Sequence, residues 1–338
     1  MAADADIHSL VVGREAMACR FEIVFNAGEH PQDTEAALAA LDLVDEVESR
    51  ISIYRDTSEL SRLNATAATG WQPVSADTFA LLEKAVELHD RTGGGFDIAA
   101  GQLVRTWGFL RRQGRTPSAA DLTAALAASG SQWLELDPTD RQIRLTRPGV
   151  ELNPGAIGKG WALDRAVDRL LADGITSCLL HGGSSSVRAI GRQGPGPLDD
   201  QRGWAVGIRH PLRPGVRLAT VAVSNRGLGT SGSGTQFFID RGRKLGHILD
   251  PRTGRPAEGV LSATVLAPTA AEADALATAA YVLGPAGLPL IAPPGGPVAA
   301  VLTVASDQAE IDLIVANVGE STLSIDDSRG VRVDWRAL

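Results

Sequence analysis

The chain has 338 residues, 44% of them hydrophobic, 21% charged and only 4% aromatic, with a formal net charge of −8 and a pI near 5.3. That length supplies a large buried core, and as a prior it suits two domains or one large one. The acidic balance excludes non-specific binding to nucleic acid or a membrane surface as the main function, and no run of 18 apolar residues offers a membrane span. Residues Met1 to Asp6 carry neither a basic nor an apolar leader region, so the expected location is the cytoplasm. Cys19 and Cys178, each in an apolar strand-like context, read as small buried hydrophobes rather than a disulfide or a metal pair.

In chain order, Met17 to Asn26 alternates as a strand, with Phe21, Ile23 and Phe25 on one face. A long helix from Thr34 to Ile51 follows, with Leu38, Leu41, Val44, Val47 and Ile51 at helical spacing. Tyr54 to Asn64 is a polar turn with a short helix; Tyr54 is either a ligand-stacking aromatic or a half-buried packing residue. Ser75 caps a helix running to about His89, and Thr92-Gly93-Gly94-Gly95 ends it, which sets Phe96 and Asp97 beside permissive backbone. Ser118 and Asp121 form a capping box opening a helix in a lid-like insertion after Trp107-Gly108-Phe109. Trp133 to Thr146 is a hairpin turning at Asp137-Pro138-Thr139-Asp140.

That hairpin feeds a Gly-rich loop, Asn153 to Gly160, which runs into a helix. Leu163, Ala166, Val167, Leu170 and Leu171 repeat at i, i+3, i+4, i+7 and i+8, and Gly174 supplies the stop. A helix start presents unpaired N–H groups and partial positive charge, and glycines let an anion approach, so the loop is a candidate phosphate cradle. Only Lys84, Lys159 and Lys244 among the 32 basic residues are lysines. A compact ammonium between two glycines suits a phosphate oxygen; the alternative is an ordinary turn with a solvated lysine. A Walker loop would need glycine at Asn153 and a hydroxyl residue at Gly160, and a dinucleotide fingerprint would need glycine at Leu163.

Beyond it, Ile175 to Leu180 reads as a strand ending in the small-residue loop His181 to Ser186. Gly194 to Asp200 reads as a surface loop, Trp204 to Ile208 and Leu218 to Val223 as strands, and Thr230-Ser231-Gly232 as a turn leading into Gln236 to Asp240. His247 stands before the proline turn Asp250-Pro251-Arg252-Thr253-Gly254, where a near-neutral imidazole is a usable general base or simply a hydrogen-bonded histidine; Asp250 reads as the turn's own cap.

Thr269 and Glu272 form a capping box for a helix in which, from Ala273 to Leu283, only Asp274, Thr278 and Tyr281 are polar, at i, i+4 and i+7. A helix apolar nearly all round is buried, and a buried carboxylate needs a cation or several donors. Carboxylate and hydroxyl oxygens one turn apart suit Mg²⁺. The alternative is that Thr278 bonds back to the Asp274 carbonyl while Asp274 pairs with an arginine.

Together these stretches resemble the FAD:protein FMN transferase family, also called the ApbE or thiamine biosynthesis lipoprotein family. The pieces run in the family's order: Met17-Ala18-Cys19, Ser52-Ile53-Tyr54, Ser58 to Asn64, Gly95-Phe96-Asp97-Ile98, Trp107-Gly108-Phe109, Gly155 to Gly160, Gly182-Gly183, Thr230-Ser231-Gly232, His247 to Gly254 and Ala273 to Thr278. The resemblance implies an α+β fold of mixed and antiparallel sheets flanked by helices, one unit over 1–338 with sub-lobes of about 10–130 and 131–338 and a flavin site in the cleft between them. It implies transfer of FMN from FAD onto a Ser or Thr hydroxyl of an acceptor flavoprotein, with release of AMP.

By the same matching, Asp274, Thr278 and the Ala156 carbonyl would hold Mg²⁺ and His247 would be the base. Lys159 would contact the cofactor, Tyr54 would lie on its adenine side, and Met17, Gly95, Phe96, Asp97, Asn153 and Ile248 would contribute to the cofactor pocket. Asn153 stands where the family usually has aspartate, Ala18 and Cys19 where it has glycine and threonine, and Ala99 where threonine is common. Two rival readings use the same site: hydrolysis of FAD to FMN and AMP if water replaces the hydroxyl, and a non-catalytic FAD carrier.

Overall fold

A computed structural model describes residues 8–194, 203–232, 234, 236–319 and 321–336. Residues 195–200 of the expected surface loop lie outside them, as do the first seven residues. Seven helices matter here: α1 (Asp33–Ile51), α2 (Glu59–Thr66), α3 (Ala76–Arg91), α4 (Gly101–Thr106), α5 (Ala119–Ala127), α6 (Gly158–Ala172) and α7 (Ala270–Leu283).

Alternating side chains build a nine-stranded sheet. Its order across the sheet is Ser9–Ala16, Cys19–Asn26, Cys178–Gly182, Ser186–Ile190, Arg226–Gly232, Val260–Ala267, Ala299–Ala305, Ile311–Ala316, Val331–Arg336, antiparallel throughout except for the last pair. Because neighbours along a strand face opposite ways, Phe21, Ile23 and Phe25 enter one core under α1, α6 and α7. Leu228, Leu266 and Val301 enter a second core, roofed by a three-stranded sheet of Trp204–Arg209, Arg217–Val223 and Leu323–Ile325. The result is helices, large sheet and small sheet in layers, an α+β architecture. Each fully buried Phe or Ile in it contributes about 1.5–3 kcal/mol.

Three differences from the sequence reading have local causes. The first strand, Ser9–Ala16, escapes pattern reading because it is an edge strand with half-exposed charges such as Arg14. The strand expected from Ile175 begins at Cys178, because Ile175 belongs to the cap of α6. Its N–H bonds Leu170 O at 2.9 Å and the Gly174 N–H bonds Leu171 O at 3.1 Å, a complete Schellman pair with Gly174 at φ +82°. Thr230-Ser231-Gly232 ends a strand rather than opening a turn, and the strand is disguised by Gly227 and Gly229. A Cβ on Gly229 would lie 2.4 Å from the Ala273 carbonyl oxygen, so this strand is small because α7 lies directly on it. On α1 the buried face is completed by Ala36, Ala37 and Ala40, while Leu38 points to solvent.

The segment Ala270–Ile291 is long and apolar enough by composition to cross a membrane, but α7 is buried between α6 and the sheet, and core burial accounts for its apolarity. The expected lid helix, α5, is held down as well. Leu122 and Leu126 pack with Leu103, Trp107, Phe109 and Leu249 in a small third core.

Candidate active site

Two helices clamp each other at the heart of the molecule. α7 starts with its Ala270 and Ala271 N–H groups donating to the two oxygens of Asp164 on α6, each at 2.9 Å. α6 reciprocates, its Gly160 N–H donating to Asp274 Oδ2 on α7 at 2.9 Å. The crossing is close enough that a Cβ on Gly160 would lie 2.2 Å from Ala270 O. The glycine expected to admit a phosphate therefore admits a helix, and the positive end of α6 is spent on a carboxylate. Thr269 caps α7 as read, accepting from the Glu272 N–H, but Glu272 turns to Arg91 instead of completing the box.

The Gly160 N–H is one of the first-turn donors that a helix leaves without an internal partner. Asp274 takes that donor, and the Ala156 carbonyl, just ahead of the helix, has no partner among the described residues. Asp274 Oδ2 also accepts from Ser186 Oγ at 2.8 Å, while Oδ1 has no partner among them. Burial pushes the Asp274 carboxyl up to about 6, against the opposing pull of the nearby Lys159 charge and the two donors. Thr278 Oγ1 donates to the Asp274 carbonyl at 3.2 Å, as the alternative reading had it, and accepts from Ser231 Oγ at 3.1 Å. No arginine pairs with Asp274 among the described residues.

Ala156, Asp274, Thr278 and Lys159 line one chamber of about 430 Å³ together with Gly95, Phe96, Asp97, Asn153, His247 and Ile248. His247 is positioned by its neighbours. Its Nδ1 lies 3.0 Å from the Gln236 carbonyl, so Nδ1 carries the hydrogen and Nε2 keeps a free lone pair. The Phe109 ring meets it edge-on at 6.4 Å. Burial, reinforced by the Lys159 charge, lowers its proton affinity below that of an ordinary histidine. The turn after it is pinned by Trp107 Nε1 donating to Gly254 O at 2.7 Å, and Asp250 is the turn's cap, accepting the Arg252 N–H at 2.9 Å.

Met17 is not with the other pocket residues. It lines a second chamber of about 440 Å³ with Glu48, Ile51 and Arg55, which shares Tyr54, Asn153, Gly155 and Lys159 with the first. Met17 and Ala18, both at positive φ, form the tight turn between Ser9–Ala16 and Cys19–Asn26. Tyr54, 74% exposed, stands at the boundary of the chambers. Asn153 Oδ1 accepts the Gly155 N–H at 2.9 Å, which shapes the loop and leaves its amide N–H₂ as the group presented to a ligand. Asp97 lines the first chamber but is fully engaged: Ala99 N–H, Ser131 N–H and Oγ, and His89 all bond it. Against the cost of burial, those bonds hold its carboxyl below the usual range. It braces the wall rather than offering a free carboxylate. Ser186, Asp164 and Gln236 went unrecognised in sequence; only the small-residue loop ending at Ser186 pointed to any of them.

A lysine, a one-sided imidazole and a cluster of carboxylate, hydroxyl and carbonyl oxygens converge on a double-chambered cleft, the arrangement of an enzyme site for an anionic ligand. The chain belongs to the ApbE family, whose model matches residues 17–302. The FAD:protein FMN transferase of Rhodobacter capsulatus is 37% identical over 254 residues, 74% of this chain; the chain spans about half, 46%, of that relative. The FAD:protein FMN transferase of Salmonella typhimurium is 33% identical over 241 residues, covering 69% of this chain and 67% of the relative. Among solved structures, the apo form of the Pseudomonas stutzeri flavinyl transferase ApbE superposes with a TM-score of 0.78 at 28% identity, covering 92% of this chain and 95% of that one.

Proposed function

We propose that the protein transfers FMN from FAD to a Ser or Thr hydroxyl of an acceptor flavoprotein, with Mg²⁺ as cofactor and AMP as leaving group. The names of its relatives support the flavin-transfer class. The observation that carries the chemistry is the His247 imidazole, with its Nδ1 proton held by Gln236 and Nε2 free, in one chamber with Lys159 and the Asp274 cluster.

The residues fit a hard divalent cation. One carboxylate oxygen, one hydroxyl and the unpartnered carbonyl just ahead of α6 are all oxygen donors, and Mg²⁺ is held by few protein ligands plus substrate phosphates. A bound Mg²⁺ would neutralise pyrophosphate charge and polarise the phosphorus under attack. Lys159 adds a fixed positive charge beside it. His247 Nε2 takes the proton of the acceptor hydroxyl as its oxygen bonds to the FMN phosphorus. The bond from that phosphorus to the bridging oxygen breaks, and AMP departs with the oxygen. A base so placed contributes roughly 10²–10⁴ in rate. The second chamber, past Tyr54, would take the half of FAD that does not react.

The test is product analysis. Incubation with FAD and Mg²⁺ should release AMP in step with acceptor labelling and without free FMN. FMN and AMP formed equally with no acceptor would make the protein a hydrolase, and intact FAD retained on the protein without turnover would make it a carrier.

A further inference from the structure

The rim of the cleft carries a surface that the chemistry above does not use. A hairpin of Phe237–Asp240 and Arg243–Gly246 leaves the cleft wall at Gln236 and returns to it at His247. Alternation turns Phe238 inward, its ring 6.3 Å from Trp107 and 5.8 Å from Phe109. The same alternation turns Phe237 and Ile239 outward, 45% and 70% exposed, with the Lys244 ammonium 4.2 Å from the centre of the Phe237 ring. Neither strand pairs with any further strand among the described residues.

The loop after Phe109 packs alongside, with Thr116 Oγ1 donating to Asp240 at 2.7 Å. Leu110 in that loop lines the cleft, and the next residue is already on the outer surface. From the loop and the hairpin turn, Arg111, Arg112, Arg115 and Arg241 stand exposed, none with an acidic partner in ion-pair range among the described residues, whereas the neighbouring Arg243 is paired with Glu258. Four unpaired positive charges gathered at one rim of a chain of net charge −8 form a local field opposite to that of the whole.

We propose that this hairpin and arginine loop are the docking surface for the acceptor, and that the acceptor segment bearing the hydroxyl is extended and acidic. The proposal rests on the flavin-transfer reading. Phe237 pairs across the hairpin with Gly246, the residue before His247, so an extended chain seated on Phe237 brings a hydroxyl level with the imidazole within about one or two residues at ~3.3 Å each. Exposed Phe237 and Ile239 supply the apolar anchor that desolvates on contact, and the arginines supply orientation and a faster encounter. An anionic membrane would also meet a basic, apolar hairpin. Continuity with a concave cleft favours a polypeptide, because only a chain can enter it.

The test uses fluorescence anisotropy on the full-length protein loaded with FAD and Mg²⁺. Two labelled peptides of about twelve residues are compared, one with a threonine flanked by Asp and Glu and one with Lys in their places. The acidic peptide should bind at least about tenfold more tightly. Ile239→Glu, and separately the pair Arg111→Glu with Arg112→Glu, should each weaken it about tenfold while FAD affinity, read by flavin fluorescence, stays unchanged. Equal binding of the two peptides, binding of neither, or variants that bind the acidic peptide like the parent overturn the proposal. So do sedimentation with phosphatidylglycerol vesicles that Ile239→Glu abolishes while neither peptide binds, and a dimer that Ile239→Glu disperses. Failure to bind FAD strikes the flavin reading instead, and the peptide comparison is then read on the flavin-free protein.

Discussion

The substitution Asp274→Asn removes a charge while keeping the shape of a side chain that α7 holds in the interior. Burial lifts this carboxyl from 3.8 to about 6. At about 1.4 kcal/mol for each tenfold change in proton affinity, that rise disfavours the folded, ionised state by about 3 kcal/mol. The sign follows from linkage. An acid whose folded affinity for a proton exceeds its unfolded affinity makes the protein lose stability as pH rises from about 4 to about 6, with no further change above. Asparagine avoids that loss, and with its amide oxygen in the Oδ2 position it still accepts both the Gly160 N–H and the Ser186 hydroxyl. The metal-free variant should therefore be about 1–3 kcal/mol more stable than the parent near pH 8, and near parity around pH 4. Saturating Mg²⁺ with FAD should stabilise the parent by about 3 kcal/mol at a hundred times its dissociation constant and leave the variant unmoved. Urea unfolding at both pH values, with and without MgCl₂, reads all of this. A variant that is less stable near pH 8, or one that gains equally from Mg²⁺, refutes the reasoning.

Other outcomes follow from the same geometry. Mg²⁺ affinity should fall about tenfold per pH unit below about pH 6, as protons compete for Asp274, and calorimetric titration across that range reads it. At saturating Mg²⁺ the acid limb of kcat/KM should have its midpoint below 6.5, because burial and Lys159 depress His247; a midpoint at or above 6.5 contradicts that assignment. Ala18→Gly should stabilise by about 1 kcal/mol in urea unfolding, since Ala18 sits at φ +58° in a two-residue hairpin turn. Gly229→Val should destabilise by about 3 kcal/mol by pushing α7 off its strand; a loss under about 1 kcal/mol means the helix has room that the 2.4 Å approach denies.

Much of the molecule was legible because its signals are local. Ser75, Ser118 and Thr269 cap the helices they were expected to cap, and the 3.6-residue repeats of α1 and α6 mark their buried faces except at Leu38 and Leu171, which stand exposed. The polar positions of α7 were equally visible, since Asp274 and Thr278 interrupt an apolar helix. The partners that give them meaning were not visible, because they come from distant segments: Gly160 and Asp164 from α6, and Ser186 from the sheet. A glycine looks alike in sequence whether it admits a phosphate or a helix, so the Gly160 reading failed where only packing decides. Met17 lines the adjoining chamber rather than the one with Phe96, a split that sequence order does not show because the two chambers share Tyr54, Asn153, Gly155 and Lys159.

Intact-mass spectrometry of a flavoprotein acceptor, after incubation with the protein and FAD, tests the central claim most directly. The account predicts a mass increase of FMN less water that needs Mg²⁺, disappears with EDTA, and is lost in His247→Ala while that variant still binds FAD. An acceptor of unchanged mass alongside full conversion of FAD to FMN and AMP, or labelling that persists in His247→Ala, would contradict it.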